Sequence, residues 1–268
     1  MHRSIAIPKD LKEFASRLKE AGFTCYFVGG AVRDSLLGHV PEDWDAATDA
    51  RPEQVMQVFR RVIPTGIQHG TVTVLWKDRR VETTTFRVDG DYQDGRHPKT
   101  VRFTQDLIED LSRRDFTMNG MAADPASGQV VDPYGGMADL ARGSVKAIGD
   151  PVARFMEDGL RPLRAVRFAC RFGFHIDEQT QAAIPITIDR FRQVSAERVR
   201  DELSKILVSS VPSRGLFLLD TSGLLPAILP ELSACKGVTQ GGPHRYDVFE
   251  HLVRACDAAA PTLTLRLA

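Results

Sequence analysis

The chain has 268 residues, of which 43% are hydrophobic and 26% charged, a composition typical of a globular protein with a sizeable core. No apolar run approaches the ~20 residues needed to span a bilayer, and the N-terminus lacks the apolar segment of a secretory signal, so we expect a cytoplasmic protein without a membrane association. The net charge is zero, which taken alone argues against a protein that binds nucleic acid. The four cysteines form no C-x-x-C pair, which argues against a disulfide framework and against a zinc site.

The first half of the chain alternates between helical and strand patterns. An apolar stripe opened by a proline predicts a helix over residues 8–21, and a short apolar run predicts a buried strand over 24–28 that ends at Gly29-Gly30. The pattern then predicts a helix over 31–37, a strand over 43–47, a helix from 52, and paired strands over 72–76 and 80–85.

The second half is helical. Residues 88–104 are rich in Asp, Gly and Pro and are interpreted as a mobile loop, and from about residue 154 apolar spacing predicts helices over 158–172, 177–184, 195–208 and 211–220. We therefore predict an α+β fold. A head with a mixed β-sheet and helices would occupy residues 1–150, an all-helical neck 151–210, and a helical body 211–268.

A pair of carboxylates follows the diglycine turn. Asp43 and Asp45 are two apart on a predicted strand, so they point to one face while Trp44 points to the other. Two parallel carboxylates repel unless a cation lies between them, and Mg²⁺ typically takes one or two carboxylates together with substrate phosphates. A lone Asp-x-Asp is also typical of a solvated turn, but its place after a strand and a glycine turn favours a magnesium site.

The surroundings of this pair suggest a phosphate site. Gly29 and Gly30 let the backbone approach a ligand closely, and the helix start that follows offers free N–H groups to a phosphate. Glu82, on a later strand, could supply a third acid for a two-metal site or could simply face solvent, since strand register cannot be read from sequence.

These residues and several later motifs resemble the nucleotidyltransferase superfamily of DNA polymerase β, and within it the class II tRNA nucleotidyltransferases and poly(A) polymerases. The shared motifs, in chain order, are Gly29-Gly30-x-x-Arg33-Asp34, Asp43-x-Asp45, Thr65-Gly66, His69-Gly70-Thr71-Val72, Thr84-Thr85-Phe86-Arg87, Arg113-Arg114-Asp115-Phe116-Thr117-Met118-Asn119, Asp132-Pro133-Tyr134-Gly135-Gly136, Glu157-Asp158-x-x-Arg161-x-x-Arg164-Ala165-x-Arg167-Phe168, and Glu197-Arg198 with Glu202-Leu203. They extend over roughly residues 24–208.

The resemblance implies an enzyme that adds nucleotides to the 3′ end of tRNA from CTP and ATP with Mg²⁺. It implies that Asp43 and Asp45 hold the metal with help from Glu82, and that Gly29, Gly30 and Arg33 hold the triphosphate. Further nucleotide contacts are implied for Arg114, Asp115 and Asn119, although Arg114 and Asp115 alone could be a surface ion pair.

The motif at Asp158 and Arg161 resembles the family's amino-acid template for the base. An aspartate acceptor beside an arginine donor matches the edges of cytosine and adenine, whereas uracil and guanine would leave polar groups unpaired at ~1–3 kcal/mol each. We expect the two residues on one face of a helix, where they could also be an ordinary ion pair. Pro162 and Gly159 disturb this helix and could shift Arg161 and Arg164. Arg164 and Arg167 are further candidate contacts, Arg167 equally well on a solvated face.

Several members of the family fit these motifs. The loop at 88–104 resembles one that family members use in switching to ATP, which argues against a CC-only enzyme, and residues 63–70 lack the basic, aromatic segment of poly(A) polymerases. The CCA-adding activity is preferred, with A-adding and poly(A)-adding activities as alternatives. A non-catalytic RNA-binding relative is a further alternative.

The C-terminal segment 243–251 resembles the start of a His-Asp phosphohydrolase domain. Because no His-Asp dipeptide follows, a phosphohydrolase is disfavoured and the chain is expected to be truncated before such a domain. The sequence does not indicate an oligomeric state.

Overall fold

The computed structural model describes residues 3–90, 101–242 and 245–268. The described residues form two compact units, one made of residues 3–90 and 101–142 and the other of 143–242 and 245–268. The predicted division into 1–150, 151–210 and 211–268 stays a prediction. In the structure the chain passes from the first compact unit to the second between Arg142 and Gly143.

The first unit is built on one mixed sheet. Its strands are β1 (Cys25–Val28), β2 (Trp44–Thr48), β3 (Val62–Gly66), β4 (Thr71–Trp76), β5 (Arg79–Thr85), β6 (Arg87–Asp89), β7 (Val101–Phe103), β8 (Ala122–Ala123) and β9 (Val130–Val131). Seven of them form a sheet in the order β3-β4-β5-β2-β1-β8-β9, in which β2 and β5 are parallel and the other neighbours antiparallel. Strands β6 and β7 form a separate antiparallel ribbon.

Helices cover this sheet and complete its core. They are α1 (Lys9–Glu20), α2 (Gly30–Leu36), α3 (Pro52–Val58), α4 (Leu107–Ser112) and α5 (Gly136–Arg142), with 3-10 turns at Ile67–His69 and Thr117–Asn119. The apolar stripe of α1 is fully buried at Leu11, Phe14 and Leu18. Phe14 stacks on Phe59 with ring centroids 4.7 Å apart and meets Trp76 edge-on at 6.0 Å, so an aromatic cluster fixes α1 to the sheet.

The second unit is helical apart from one short ribbon. Its helices are α6 (Pro151–Glu157), α7 (Arg161–Phe172), α8 (Glu178–Ile186), α9 (Ile188–Phe191), α10 (Ala196–Leu207), α11 (Pro212–Thr221), α12 (Leu225–Ile228), α13 (Pro230–Ala234), α14 (Val248–Ala258) and α15 (Leu263–Leu267). The ribbon pairs β10 (Ser144–Val145) with β11 (His175–Ile176) in parallel. Helix α7 packs on α10 and α11.

The α+β class is confirmed, and two local expectations need correction. The segment at 88–104 is not loop at its ends, because β6 and β7 pair there; its centre, 91–100, lies outside the described residues. The helix predicted from 158 begins at Arg161 instead, after a break that follows α6. Of the segment 243–251, residues 243 and 244 lie outside the described residues, and α14 begins at Val248.

No helix in the described ranges combines the length and the apolar character that crossing a membrane requires.

Candidate active site

The carboxylate pair lies at the start of β2. Asp45 is the second residue of this strand, and Asp43 lies one residue before it. Trp44 between them is buried, 3% exposed, and its ring meets Phe27 edge-on at 5.2 Å, whereas Asp43 and Asp45 are exposed. The alternation expected from the sequence therefore holds, since the indole anchors the strand in the core and the two acids share the other face.

Glu82 joins this face through strand register. On the parallel pair β2–β5, Asp45 is directly opposite Glu82, and residues in register on neighbouring strands project to the same side. Glu82 is also exposed. The structure thus brings the third acid beside the pair, as the sequence suggested without being able to fix the register.

The electrostatics of Asp45 reflect this crowding. Although solvent reaches the residue, partial desolvation by the surrounding protein raises the pKa of Asp45 to about 6, and the negative charges of Glu82 and, more weakly, Asp43 add to the increase while Arg114 opposes it. Negative charge held together against its own repulsion is stabilised by a bound cation.

A divalent cation fits this donor set. The side chains on offer are carboxylates only, which are the ligands that Mg²⁺ and similar hard cations prefer, and few of them, which leaves coordination positions for phosphate oxygens. In the described ranges no group of three or more His, Cys, Asp and Glu side chains is arranged to hold a metal ion. A divalent cation would therefore be held by the two carboxylates of Asp43 and Asp45, with Glu82 on the neighbouring strand.

The diglycine turn brings the backbone close to this acidic face. Gly29 has φ +69° and ψ −126°, a conformation that only glycine adopts readily. A β-carbon at this position would lie 3.1 Å from Nη1 of Arg114 and 3.9 Å from Oδ2 of Asp45. The turn, the predicted cation Arg114 and the predicted metal ligand Asp45 are therefore neighbours, and Gly30 begins α2 directly after them.

Arg33, Asn119 and Asp115 form one buried network. Nη1 of Arg33 donates to Oδ1 of Asn119 at 2.7 Å, and Nδ2 of Asn119 donates to Oδ1 of Asp115 at 2.9 Å. The Nε of Arg33 also donates to Asp34 at 2.8 Å. Arg33, Asn119 and Asp115 are 5%, 7% and 8% exposed. Two motifs far apart in the sequence, those of Arg33 and of Asp115 with Asn119, thus meet here, and the partners of Arg33 are protein groups.

The residues predicted to recognise the base lie in the second unit, at the break between α6 and α7. Asp158 follows the last residue of α6, and Arg161 is the first residue of α7. The expectation that the two residues share one face of a helix is therefore wrong. Helix α6 ends before Asp158, whose backbone is extended with φ −131° and ψ 108°, and two contacts accompany the break. The Asp158 carboxylate accepts the N–H of Leu160 at 3.0 Å, and a β-carbon on Gly159 would lie 2.5 Å from the carbonyl oxygen of Arg190.

Asp158 and Arg161 have separate partners. Asp158 receives a two-pronged contact from Arg198, with Nη1 to Oδ1 at 3.1 Å and Nη2 to Oδ2 at 2.8 Å. Nη1 of Arg161 donates to Glu157 at 2.6 Å and to the carbonyl of Arg154 at 2.9 Å. Each template candidate is thus held in place by a neighbour, which is the preorganisation that a selective site needs.

Pro162 does not disturb α7 as the sequence suggested. It occupies one of the first two helical positions, where the backbone N–H has no partner within a helix, so proline removes no hydrogen bond there.

Arg164 and Arg167 have different surroundings. The guanidinium of Arg164 lies 5.5 Å from the ring centroid of Phe168. Arg167 is 7% exposed, forms an ion pair through its Nε with Glu202 on α10, and lies 3.9 Å from the Phe168 ring. The solvated face considered for Arg167 is therefore wrong.

Two residues of these sites were not recognised from the sequence. Asp110, on α4, contacts Arg114, and Arg198 pairs with Asp158 across 40 residues of sequence. Arg198 belongs to a motif that was identified, but no local pattern specifies its partner. Asp110 lies in an ordinary helical pattern and has no sequence signal at all.

Two family models of known proteins match this chain. Residues 25–146 match the family model of the poly A polymerase head domain, and residues 173–236 match the model described as a probable RNA and SrmB-binding site of polymerase A.

Known relatives are CCA-adding enzymes. The chain is 44% identical to one from Limosilactobacillus fermentum over 228 residues, which is 85% of this chain and 55% of that protein, and 44% identical to one from Enterococcus faecalis over 263 residues, which is 97% of this chain and 63% of that protein. The crystal structure of a Bacillus stearothermophilus CCA-adding enzyme in complex with CTP matches with a TM-score of 0.79 and 38% identity, covering 93% of this chain and 57% of that one. The chain thus spans less than two thirds of the length of these relatives.

Proposed function

Because this chain belongs to the family of class II tRNA nucleotidyltransferases and poly(A) polymerases, we propose that it adds nucleotides from CTP and ATP to the 3′ end of tRNA, completing a CCA end without a nucleic-acid template. The observation that carries this proposal is the juxtaposition of the Asp43–Asp45 pair with Glu82 in register and with the diglycine turn beside Arg114. Acids for a metal and a cation for a phosphate are the elements that nucleotidyl transfer needs.

In this reaction the 3′-hydroxyl of the RNA attacks the α-phosphorus of the nucleotide, and pyrophosphate leaves. Bound at Asp43 and Asp45, Mg²⁺ would neutralise phosphate charge and lower the pKa of the attacking hydroxyl. The residues of the chain position the reactants. Gly29 and Gly30 admit the triphosphate close to the backbone, and Arg114 places a positive charge beside Gly29, so that catalysis is mainly positioning and electrostatics.

The network around Arg33 serves the sugar and the triphosphate. Asn119 holds Arg33 and Asp115 through its two amide atoms, so a contact of Asp115 with the ribose hydroxyls and a contact of Arg33 with phosphate would be mechanically linked. An acid on the ribose hydroxyls favours NTP over dNTP, since a deoxyribose leaves its acceptor unpaired.

Base selection belongs to Asp158 and Arg161. Arg198 and the Leu160 N–H occupy part of the acceptor capacity of the Asp158 carboxylate, and a carboxylate has about four lone-pair sites in all. One remaining site can accept the exocyclic amino group of cytosine or adenine, while Arg161 donates to the adjacent ring nitrogen. Arg164 is proposed as an accessory contact, and Arg167 as a residue that positions α7 through Glu202.

The test uses the whole protein with Mg²⁺ and three tRNAs, ending before CCA, after the first C, and after CC. CTP and ATP are supplied separately and together. Completion of CCA on the shortest tRNA is the expected result, and the Asp45→Ala variant should be inactive on all three. A single A added only to the tRNA that ends in CC would make the protein an A-adding enzyme, and long A tracts would make it a poly(A) polymerase.

The alternatives make different demands. A non-catalytic relative would bind RNA without any Mg²⁺-dependent binding of NTP, which calorimetry with CTP would detect. A cytoplasmic location is proposed together with the tRNA substrate.

A further inference from the structure

A fully buried acid lies behind the proposed phosphate site. Asp110, on α4, is 0% exposed, and two arginines and one backbone N–H meet at its carboxylate. Arg113 donates to Oδ1 through Nε at 2.9 Å and Nη2 at 2.8 Å, the N–H of Arg87 donates to Oδ1 at 3.3 Å, and Nη2 of Arg114 donates to Oδ2 at 3.3 Å. A buried carboxylate with this many cationic partners is ionised and fixed in orientation.

The charge of Asp110 follows from these contacts. Burial by itself would raise the pKa of Asp110, but the guanidinium groups of Arg113 and Arg114 outweigh it and lower the pKa below its ordinary value. These contacts therefore favour the negatively charged form of Asp110 inside the first unit.

Arg114 lies between Asp110 and the acidic face. One end of its guanidinium donates to Asp110, and the other end, Nη1, lies against the diglycine turn, 3.1 Å from where a Gly29 β-carbon would be. Its Nε is buried and has no hydrogen-bond partner among the described residues. Because Nη2 of Arg114 donates to Asp110 at 3.3 Å, Nη1 remains on the side of Gly29 and Asp45.

The same acid connects to the β6–β7 ribbon. Arg113 lies 3.7 Å from Asp89, and Asp89 lies 3.0 Å from Arg87. Asp89 and Arg87 are the last and first residues of β6. A chain of alternating charges thus runs from the ribbon to Arg114, with Asp110 as its central acid.

We propose that Asp110 is a positioning residue for nucleotide binding: its buried carboxylate holds Arg114 against the diglycine turn and ties it through Arg113 to the ribbon. The role rests on the proposed function, since the nucleotide phosphates are the anions that Arg114 would meet there. Asp110 itself touches no reacting atom.

The test removes the negative charge of Asp110 and keeps the shape of its side chain. Asp110→Asn retains an acceptor oxygen but not the ion pairs, so Arg114 should lose its fixed position and KM for CTP and ATP should rise about tenfold while kcat changes little, the pattern of lost binding rather than lost chemistry. Arg114→Gln should raise KM similarly. In the Arg114→Gln background, adding Asp110→Asn should change KM no further, because both act through one contact.

A matched control is Asp10→Asn. Asp10 forms an ion pair with Nε of Arg79 at 2.5 Å in the same unit and has no contact with the nucleotide residues, so this variant should lower the melting temperature and leave KM unchanged. If Asp110→Asn does not fold, Arg113→Gln replaces it as the test. This variant removes the ion pair that anchors Asp110, and it should raise KM by a smaller factor.

The outcomes separate the two proposals. An active wild type whose KM is unaffected by Asp110→Asn, or an effect that adds fully to that of Arg114→Gln, overturns the positioning role and leaves the function intact. A wild type that neither extends tRNA nor binds CTP in calorimetry overturns the proposed function, and the positioning role falls with it.

Discussion

At the scale of single residues, the proposed site consists of groups held in unfavourable surroundings. Asp45 has a raised pKa of about 6, with partial desolvation as the largest cause and Glu82 as the next. Gly29 has a backbone conformation that other residues avoid. Unfavourable local features of this kind persist where function requires them, and removing them can increase stability at the expense of activity.

Asp45→Asn should therefore stabilise the metal-free protein. The folded pKa of Asp45 lies above its ordinary value of 3.8, so its contribution to stability is fully present below about pH 4 and is lost as the pH rises through about 6. With EDTA, the melting temperature of the variant relative to wild type should accordingly increase between pH 4 and pH 7. With Mg²⁺ the order should reverse, because only wild type binds the ion well.

Asp10→Asn, which loses an ion pair instead, should be less stable than wild type at neutral pH. An Asp45→Asn protein that melts below wild type in EDTA at pH 7 would contradict the prediction.

Gly29→Ala should impair nucleotide binding beyond its effect on stability. An L-residue at φ +69° and ψ −126° lies in a sparsely populated backbone region and costs about 1–3 kcal/mol, and the new β-carbon would meet Nη1 of Arg114 at 3.1 Å. Gly22→Ala is the matched control, because Gly22 also has a positive φ, +88°, but no atom within 4 Å of a β-carbon. Urea denaturation should show a loss of stability in both variants, because both have a positive φ, while KM for CTP should rise only for Gly29→Ala. Equal KM values in the two variants would mean that the turn does not bind the triphosphate.

At the scale of elements, the sequence predicts most of the pieces and few of their partners. A stripe of apolar residues predicted α1, and a proline predicted the start of α3. Both predictions were possible because each signal lies within a few residues of sequence. The register of β2 against β5, which places Glu82 opposite Asp45, depends on pairing between distant segments. The same is true of the packing at the break after α6, where Gly159 lies against the carbonyl of Arg190. Local pattern cannot contain these contacts.

Helices α7 and α10 are joined by a buried ion pair whose loss should be costly. Arg167 and Glu202 are 7% and 3% exposed. Burial by itself would raise the pKa of Glu202, but the charges of Arg167 and Arg164 and the hydrogen bonds from Lys205 and Arg167 together lower it. Glu202→Gln leaves a buried arginine without its counter-charge, so the free energy of unfolding should fall by about 3–5 kcal/mol, as measured by guanidinium denaturation. This contribution is present above pH 4.5 and is lost as the pH falls through the lower folded pKa.

An exposed pair provides the comparison for Glu202→Gln. Arg192 and Asp189 are paired at 2.8 Å with side chains 62% and 86% exposed, and such pairs contribute about 0–1 kcal/mol. Asp189→Asn should therefore change the free energy of unfolding little. If the two variants cost the same, the Arg167–Glu202 pair does not join the helices as described.

At the scale of the whole molecule, the proposed chemistry is divided between the two units. The first unit contains the acids Asp45 and Glu82 and the turn at Gly29 that is proposed to bind phosphate. The second contains Asp158 and Arg161, each fixed by its own neighbours. Transfer and selection are then separate properties of the chain, and it should be possible to lose one and keep the other.

Two variants, one in each unit, should show this division. Asp45→Ala should abolish incorporation of every nucleotide, because the metal site is lost whichever base is offered. Asp158→Asn leaves the first unit unchanged but replaces an acceptor that cannot donate by an amide that can do both, so UTP and GTP should no longer be rejected. Since one unpaired buried polar group costs ~1–3 kcal/mol, and each 1.4 kcal/mol is tenfold, the preference for CTP and ATP should fall by roughly 5- to 150-fold in single-nucleotide incorporation on tRNA. If Asp158→Asn kept its selectivity and lost only rate, the base would be read elsewhere, and Asp158 would serve to hold the break after α6 through Leu160 and Arg198.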